Sequence, residues 1–286
     1  MTIAACYLCP EGVVLGADST STMFVPHPHE PCDHYFNYGQ KVFEIGENAT
    51  LGITTWGLGS LGTISYRTLV AELADQLTQS RPADVGEVAW RWNTLFWSHY
   101  GPMTDAARTK VREIVAKGDQ ASDDEKKELR LIRDALACGF CIGGNCPPQR
   151  APAAFEMWFH ADMIQPEPPR AIAAGKPRFW GWSNFLDRLN LGIDEQTFEA
   201  ILGSGKWVGS REELRVLVRQ AALTIPLQLP IREAVDWVHS AIYTTIKAMK
   251  FSHFRPACGG PVEVAVITTD RRFRWVRHKK LGVAIR

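Results

Sequence analysis

Excess charge is the first thing this chain lacks. Its 286 residues carry 32 Lys plus Arg against 31 Asp plus Glu, a net charge of +1. So even a balance leaves no electrostatic footprint for nucleic acid or an anionic membrane surface. Long apolar runs are missing as well: none reaches the ~18–20 residues of a membrane span. The N-terminus has no signal-peptide pattern, so a cytoplasmic protein is expected. Seven cysteines are an odd number with no regular framework, which reads as reduced thiols rather than disulfides. No linker or repeat divides the chain, which reads as a single domain over residues 1–286. What remains, 45% hydrophobic and 22% charged residues, suits a globular protein with ample core.

Two CxxC pairs, Cys6/Cys9 and Cys138/Cys141 (followed by Cys146), invite a zinc reading. Both lie in apolar runs that read as strands, and strand residues three apart point to opposite faces. Buried structural cysteines are therefore expected, not a metal site. His27, His29, Cys32 and His34 form a second ligand-rich group among Pro26, Pro28 and Pro31. A polar surface loop from Ser21 to about Gln40 is the expectation there. No metal and no cofactor is assigned.

Ile3–Leu8, a turn at Pro10-Glu11-Gly12 and Val13–Ala17 read as a β-hairpin. If Leu8 and Val13 flank the turn, Thr2 lies opposite Ser19 and beside Asp18. A second hairpin runs from Lys41 to Ile45 and from Ala49 to Trp56. Tyr66, Leu69, Val70, Leu73 and Leu77 then share one helical face, as do Val85, Val88, Ala89, Trp92, Leu95 and Phe96. Met103 to Leu136 reads as a charged helical extension with the run from Asp123 to Glu128 as its solvated centre. Strands are expected at Ala135–Gly143, Ala154–His160 and Ile172–Trp182. Helices follow at Glu195–Leu202, Arg211–Leu223 and Ile231–Met249. Strands at Val262–Thr268 and Phe273–His278 close the chain. Tight hairpins point to antiparallel or mixed sheets and an α+β protein rather than βαβ units.

Gly57-Leu58-Gly59-Ser60-Leu61-Gly62 matches GxGxxG after a strand and before a helix. The strand before it belongs to a hairpin, and a second helix stands where a ribose-binding acid should follow. A tight strand-to-helix junction is the plainer reading, and exposed amides that bind an oxyanion are a third.

Thr2 follows the initiating methionine, and a small second residue favours removal of Met1. A terminal threonine joins a hydroxyl to an α-amine of pKa roughly 7.7–8.0, which can serve as its base.

Thr2, the run Gly12–Ser19 with Asp18, Lys41–Ile45, Trp56-Gly57 and the late Cys258-Gly259-Gly260 together resemble the proteasome β-subunit family of N-terminal nucleophile (Ntn) hydrolases. The resemblance implies a four-layer αββα sandwich, two antiparallel sheets flanked by helices. It implies Thr2 as nucleophile, Lys41 lowering the pKa of its amine and hydroxyl, Asp18 holding the lysine and Gly57 supplying an oxyanion amide. Thr22 matches a position whose backbone pairs with extended substrate. Departures are the long Asp18-to-Lys41 loop, Thr20 in place of a basic residue, and Arg255 where an aspartate is usual. At Gly181-Trp182-Ser183 a Gly-Ser-Gly element is expected, and only Ser183 matches loosely.

The function expected from this is a threonine-type peptidase or amidase acting on peptide or protein substrate. It would form a homo-oligomeric ring, with an ATP-dependent unfoldase as a further partner. Non-catalytic relatives usually carry an extension before the threonine, and its absence favours activity. The alternatives are a non-catalytic ring-forming subunit and a nucleotide-binding enzyme using Gly57–Gly62.

Overall fold

The computed structural model describes residues 2–25, 32–220, 222–223, 229–253 and 257–279. In chain order its early strands are β1 (Ile3–Cys9), β2 (Gly12–Ala17), β3 (Ser21–Val25), β4 (Cys32–Phe36), β5 (Val42–Glu44) and β6 (Leu51–Gly57). Helices α1 (Tyr66–Gln79), α2 (Val85–Ala116) and α3 (Asp123–Leu136) follow. Next come β7 (Cys138–Gly144), β8 (Ala153–Phe159), the short β9 (Arg170–Ala171) and β10 (Arg178–Gly181). The last stretch holds α4 (Asn184–Leu191), α5 (Glu195–Gly203), α6 (Arg211–Gln220), α7 (Ile231–Lys250), β11 (Glu263–Thr268) and β12 (Arg274–Arg277).

The strands build two five-stranded antiparallel sheets, β10-β1-β2-β11-β12 and β5-β6-β7-β8-β9, with β3-β4 as a separate two-stranded ribbon. Leu8 pairs with Val13 and Ala4 with Ala17, the register expected of the first hairpin. Along β1 the side chains alternate between two buried surroundings. Ile3, Ala5, Tyr7 and Cys9 pack with Val238 and Ile242 of α7, whereas Ala4, Cys6 and Leu8 join Trp56 and Cys141 of the other sheet. A strand buried on both faces reads as an unbroken apolar run, which is why β1 and β2 show no polar alternation. On the far side of the second sheet, Phe140 and Phe159 pack against Trp92 and Phe96 of α2, with Leu69 and Leu73 of α1 in the same cluster. The molecule is thus an α+β structure whose two antiparallel sheets share one apolar interface and carry helices on their other faces.

Several elements differ from the sequence reading. Helix α2 continues through Pro102 to Ala116, because its later half is anchored rather than free. Arg108, buried there, donates to the Met163 and Gly101 carbonyls at 2.8 and 2.9 Å and lies over the Trp97 ring. The acidic run from Asp123 opens α3 instead of forming a helix centre. Ser122 and Glu125 make a reciprocal capping box, and carboxylates suit the positive N-terminal end. The expected loop from Ser21 contains the ribbon β3-β4, paired from Ser21–Phe36 to Val25–Cys32. Of the expected strand Ile172–Trp182 only β10 forms, with the short β9 just before it, and α4 follows where no element was expected. The glycine loop does not open a helix: α1 starts at Tyr66, capped by Ser65, beyond the last glycine of the motif.

Candidate active site

The first hairpin sets the geometry. A backbone bond joins Asp18 N–H to the Ile3 carbonyl at 3.1 Å, and Ile3 N–H donates to the Asp18 side chain at Oδ1, also at 3.1 Å. The carboxylate is fully buried and accepts three further bonds. Lys41 Nζ donates to Oδ1 at 2.7 Å, while Thr20 N–H and Gly259 N–H donate to Oδ2 at 3.1 and 3.0 Å. Three backbone amides and one ammonium meet the needs of a charge removed from water. Lys41 stands just before β5, and its carbonyl accepts Thr55 N–H of β6 at 2.9 Å. The lysine is thereby fixed at both its main chain and its ammonium.

Thr2 is held from the opposite edge. Its carbonyl accepts Trp182 N–H at 2.8 Å, just beyond β10. Gly181, at φ +83°, pairs with Ile3, and a Cβ there would collide with the Thr2 carbonyl oxygen. Only glycine combines that φ with so close an approach. Thr2, Thr22, Lys41 and Gly57 all line one narrow pocket of about 70 Å³, with Asp18 behind the lysine. The five site residues expected from the resemblance, Thr2, Asp18, Thr22, Lys41 and Gly57, therefore lie in or directly behind one pocket. Gly57 ends β6 at φ +84°, where a Cβ would strike the Ala137 carbonyl. Thr22 is exposed on the ribbon, paired with Tyr35.

The Cys258-Gly259-Gly260 segment closes the base of the site. Gly259 donates to Asp18 and accepts Ser19 N–H at 3.0 Å, and Ser19 Oγ donates to the Pro261 carbonyl at 2.7 Å. Cys258 is buried, and burial, with the Asp18 charge adding to it, pushes its thiol well above the ordinary range. Ser183 turns its hydroxyl to Asp187 Oδ2 at 2.8 Å. Burial raises the Asp187 carboxyl above its usual value, although the Ser183 bond opposes the shift.

Sequence reasoning missed how Gly181 and the Trp182 amide hold Thr2, and the part Gly259 plays at Asp18. The resemblance named both segments, but not these contacts, which join residues far apart in sequence: Gly259 lies 241 positions from Asp18. A larger cavity of about 790 Å³ adjoins the site through Gln40 and is walled by Arg67, Trp275, His278 and Lys279.

The cysteine pairs divide as strand geometry requires. Cys6 and Cys141 face the inter-sheet core, whereas Cys9 and Cys138 face the helices. No group of His, Cys, Asp or Glu among the described residues could hold a metal ion. His27, His29 and Arg255 lie outside the described residues, as does the side chain of Cys32, and His34 is exposed on β4. No helix among the described residues is long and apolar enough to cross a membrane.

No family model and no curated protein sequence matches this chain. Among solved structures it is similar to a Gly-1 mutant of Anbu from Hyphomicrobium sp. strain MC1, at 11% identity and TM-score 0.46, covering 98% of this chain and 86% of that one. It is also similar to Anbu, an ancestral beta-subunit, from Yersinia bercovieri, at 13% identity and TM-score 0.45, covering 98% and 88% of the two chains. With both scores below 0.5, the chain's own geometry remains the basis for any function.

Proposed function

We propose that this chain is a threonine-type amidase or peptidase of the Ntn-hydrolase kind, with Thr2 as nucleophile once Met1 is removed. The carrying observation is that Thr2 and Lys41 line one pocket while Asp18 holds the lysine at 2.7 Å from behind. In this reading the two sheets and their flanking helices form one αββα domain across the chain.

The Thr2 amine takes the hydroxyl proton as Oγ1 attacks an amide carbonyl. The carbonyl π electrons move to oxygen, and an amide at Gly57 stabilises the oxyanion. Collapse breaks the C–N bond, the ammonium returns its proton to the leaving amine, and an ester on Thr2 remains. Water, deprotonated by the same amine, attacks that ester; the acyl C–Oγ1 bond breaks, the ammonium returns its proton to Oγ1, and the acid leaves. The Lys41 cation favours the neutral form of the amine, and Asp18 keeps the cation in place. The Thr22 backbone, on the exposed ribbon, is suited to pairing with an extended peptide. Resemblance to proteasome β-subunits extends the proposal to a homo-oligomeric ring, fed by an ATP-dependent unfoldase.

Intact mass after exposure to an electrophile that captures a hydroxyl and an α-amine on one residue tests the reading. Loss of Met1 with one adduct, abolished by Thr2→Ala, supports it. A retained Met1 with no adduct overturns it in favour of a non-catalytic ring subunit. The raised thiol of Cys258 keeps that neighbour protonated, so it does not compete for the reagent.

A further inference from the structure

Glu263 takes no part in the chemistry above, yet its carboxylate is fully buried. It opens β11 in register with Ala17, the residue before Asp18. Two side chains from the segment after β12 reach it, His278 Nδ1 at 2.8 Å and Lys279 Nζ at 3.1 Å. Both are ion-pair contacts to a carboxylate shut off from water. The directed bond of the Lys279 ammonium goes to the Gly39 carbonyl at 2.9 Å. Gly39 N–H in turn donates to the Ser19 carbonyl at 2.9 Å. Gly39 stands two residues before Lys41, and Ser19 directly follows Asp18. An apolar pair of similar volume at Glu263 and Lys279 would serve stability at least as well, because desolvating two ions is costly. Stability is therefore a poor account of this pair.

We infer that Glu263 and Lys279 are positioning residues, holding Gly39 against Ser19 and so fixing where Lys41 meets Asp18. The inference rests on the threonine-hydrolase reading of the site. Burial lowers the pKa of Lys279, and among the charges opposing its protonation is Lys41. In the wall of the large cavity His278 is partly open to solvent, whereas Lys279 is buried.

The single change Lys279→Met strands a buried carboxylate and is expected to unfold the protein, so the neutral double variant Glu263→Gln/Lys279→Met carries the test. It should fold, and its rate of Thr2 adduct formation should fall about tenfold while affinity for the reagent stays within about twofold. The acid limb of its pH–rate profile should move to higher pH, and Lys279→Arg should retain the wild-type profile. Amide hydrogen exchange supplies a readout free of activity. Exchange at Gly39 and Thr55 should quicken in the double variant while that of β7 holds. Unchanged exchange at both amides overturns the inference, as does an unchanged rate and profile in a reactive background. A wild type that takes no adduct, alongside quickened exchange at Gly39 and Thr55, overturns the hydrolase reading and leaves the positioning of the segment standing.

Discussion

Asp18 and Lys41 meet at 2.7 Å across 23 residues of sequence, and the carboxylate between them is wholly cut off from water. Such a pair is weak as a source of stability and demanding as a constraint, since either ion alone is costly.

Removing one partner should therefore act on both fold and chemistry. Lys41→Met leaves Asp18 with backbone amides only, and should cost about 3–5 kcal/mol in chemical denaturation. Adduct formation at Thr2 should drop at least about a hundredfold. Asp18→Asn should fare no better. One amide oxygen replaces two acceptors, and its NH₂ would face the N–H donors of Ile3, Thr20 or Gly259. Native stability with full reactivity in either variant would remove the pair from the mechanism.

Three glycines should separate by what a methyl group would meet. Gly181→Ala and Gly57→Ala force a strained φ and a backbone collision, and each should lose more than about 1–3 kcal/mol. Gly181→Ala should also abolish adduct formation, because the clash falls on the Thr2 carbonyl. Gly59 has no atom within 4 Å of a built Cβ, so Gly59→Ala should be near neutral in thermal unfolding and in reactivity. A large loss at Gly59 would instead point to a ligand cradled by the glycine loop.

Asp187 should give the fold a pH signature. Burial raises its folded pKa above the unfolded carboxylate value of about 3.9, so the folded state holds this proton more tightly. Its contribution is greatest at acid pH and declines as pH rises from the ordinary carboxylate range through the raised value. Asp187→Asn keeps an acceptor for Ser183 and removes the titration. Denaturation midpoints should show the variant gaining on wild type across that window. Parallel curves would mean the carboxyl is not perturbed.

Helix α3 offers a local control. None of its residues is buried, and its start rests on the Ser122–Glu125 capping box. Ser122→Ala should cost about 0.5–2 kcal/mol of local helix stability. Hydrogen exchange should show fraying near Asp123, with Thr2 reactivity unchanged. A global loss of stability would show that α3 supports the core.

Much of the site was legible because it is built by short-range pairing. The Pro10-Glu11 turn and the flanking apolar runs set the β1-β2 register from Cys9–Gly12 to Ala4–Ala17, and continuing it brings the start of the chain to Asp18. The opposite orientations within each CxxC pair followed from the two-residue period of a strand. The ribbon β3-β4 was not legible, since its strands are short and stand apart from both main sheets. Helix α2 passes Pro102 because Arg108 finds buried partners at Met163, 55 residues on. No local propensity carries that information.

The sequence by itself determined the first hairpin, the placement of Thr2 beside Asp18, and the apolar periodicity of α1, α2 and α7. These depend on turn chemistry and on contacts within a few residues. Tertiary structure decided what surrounds them: Gly259 on the carboxylate, Gly181 and Trp182 on Thr2, and Lys279 with Glu263 behind Gly39. Each is a backbone or ionic contact between distant segments. Such contacts arise only once both sheets and α7 are packed, because no pattern along the chain encodes which remote amide meets which acceptor.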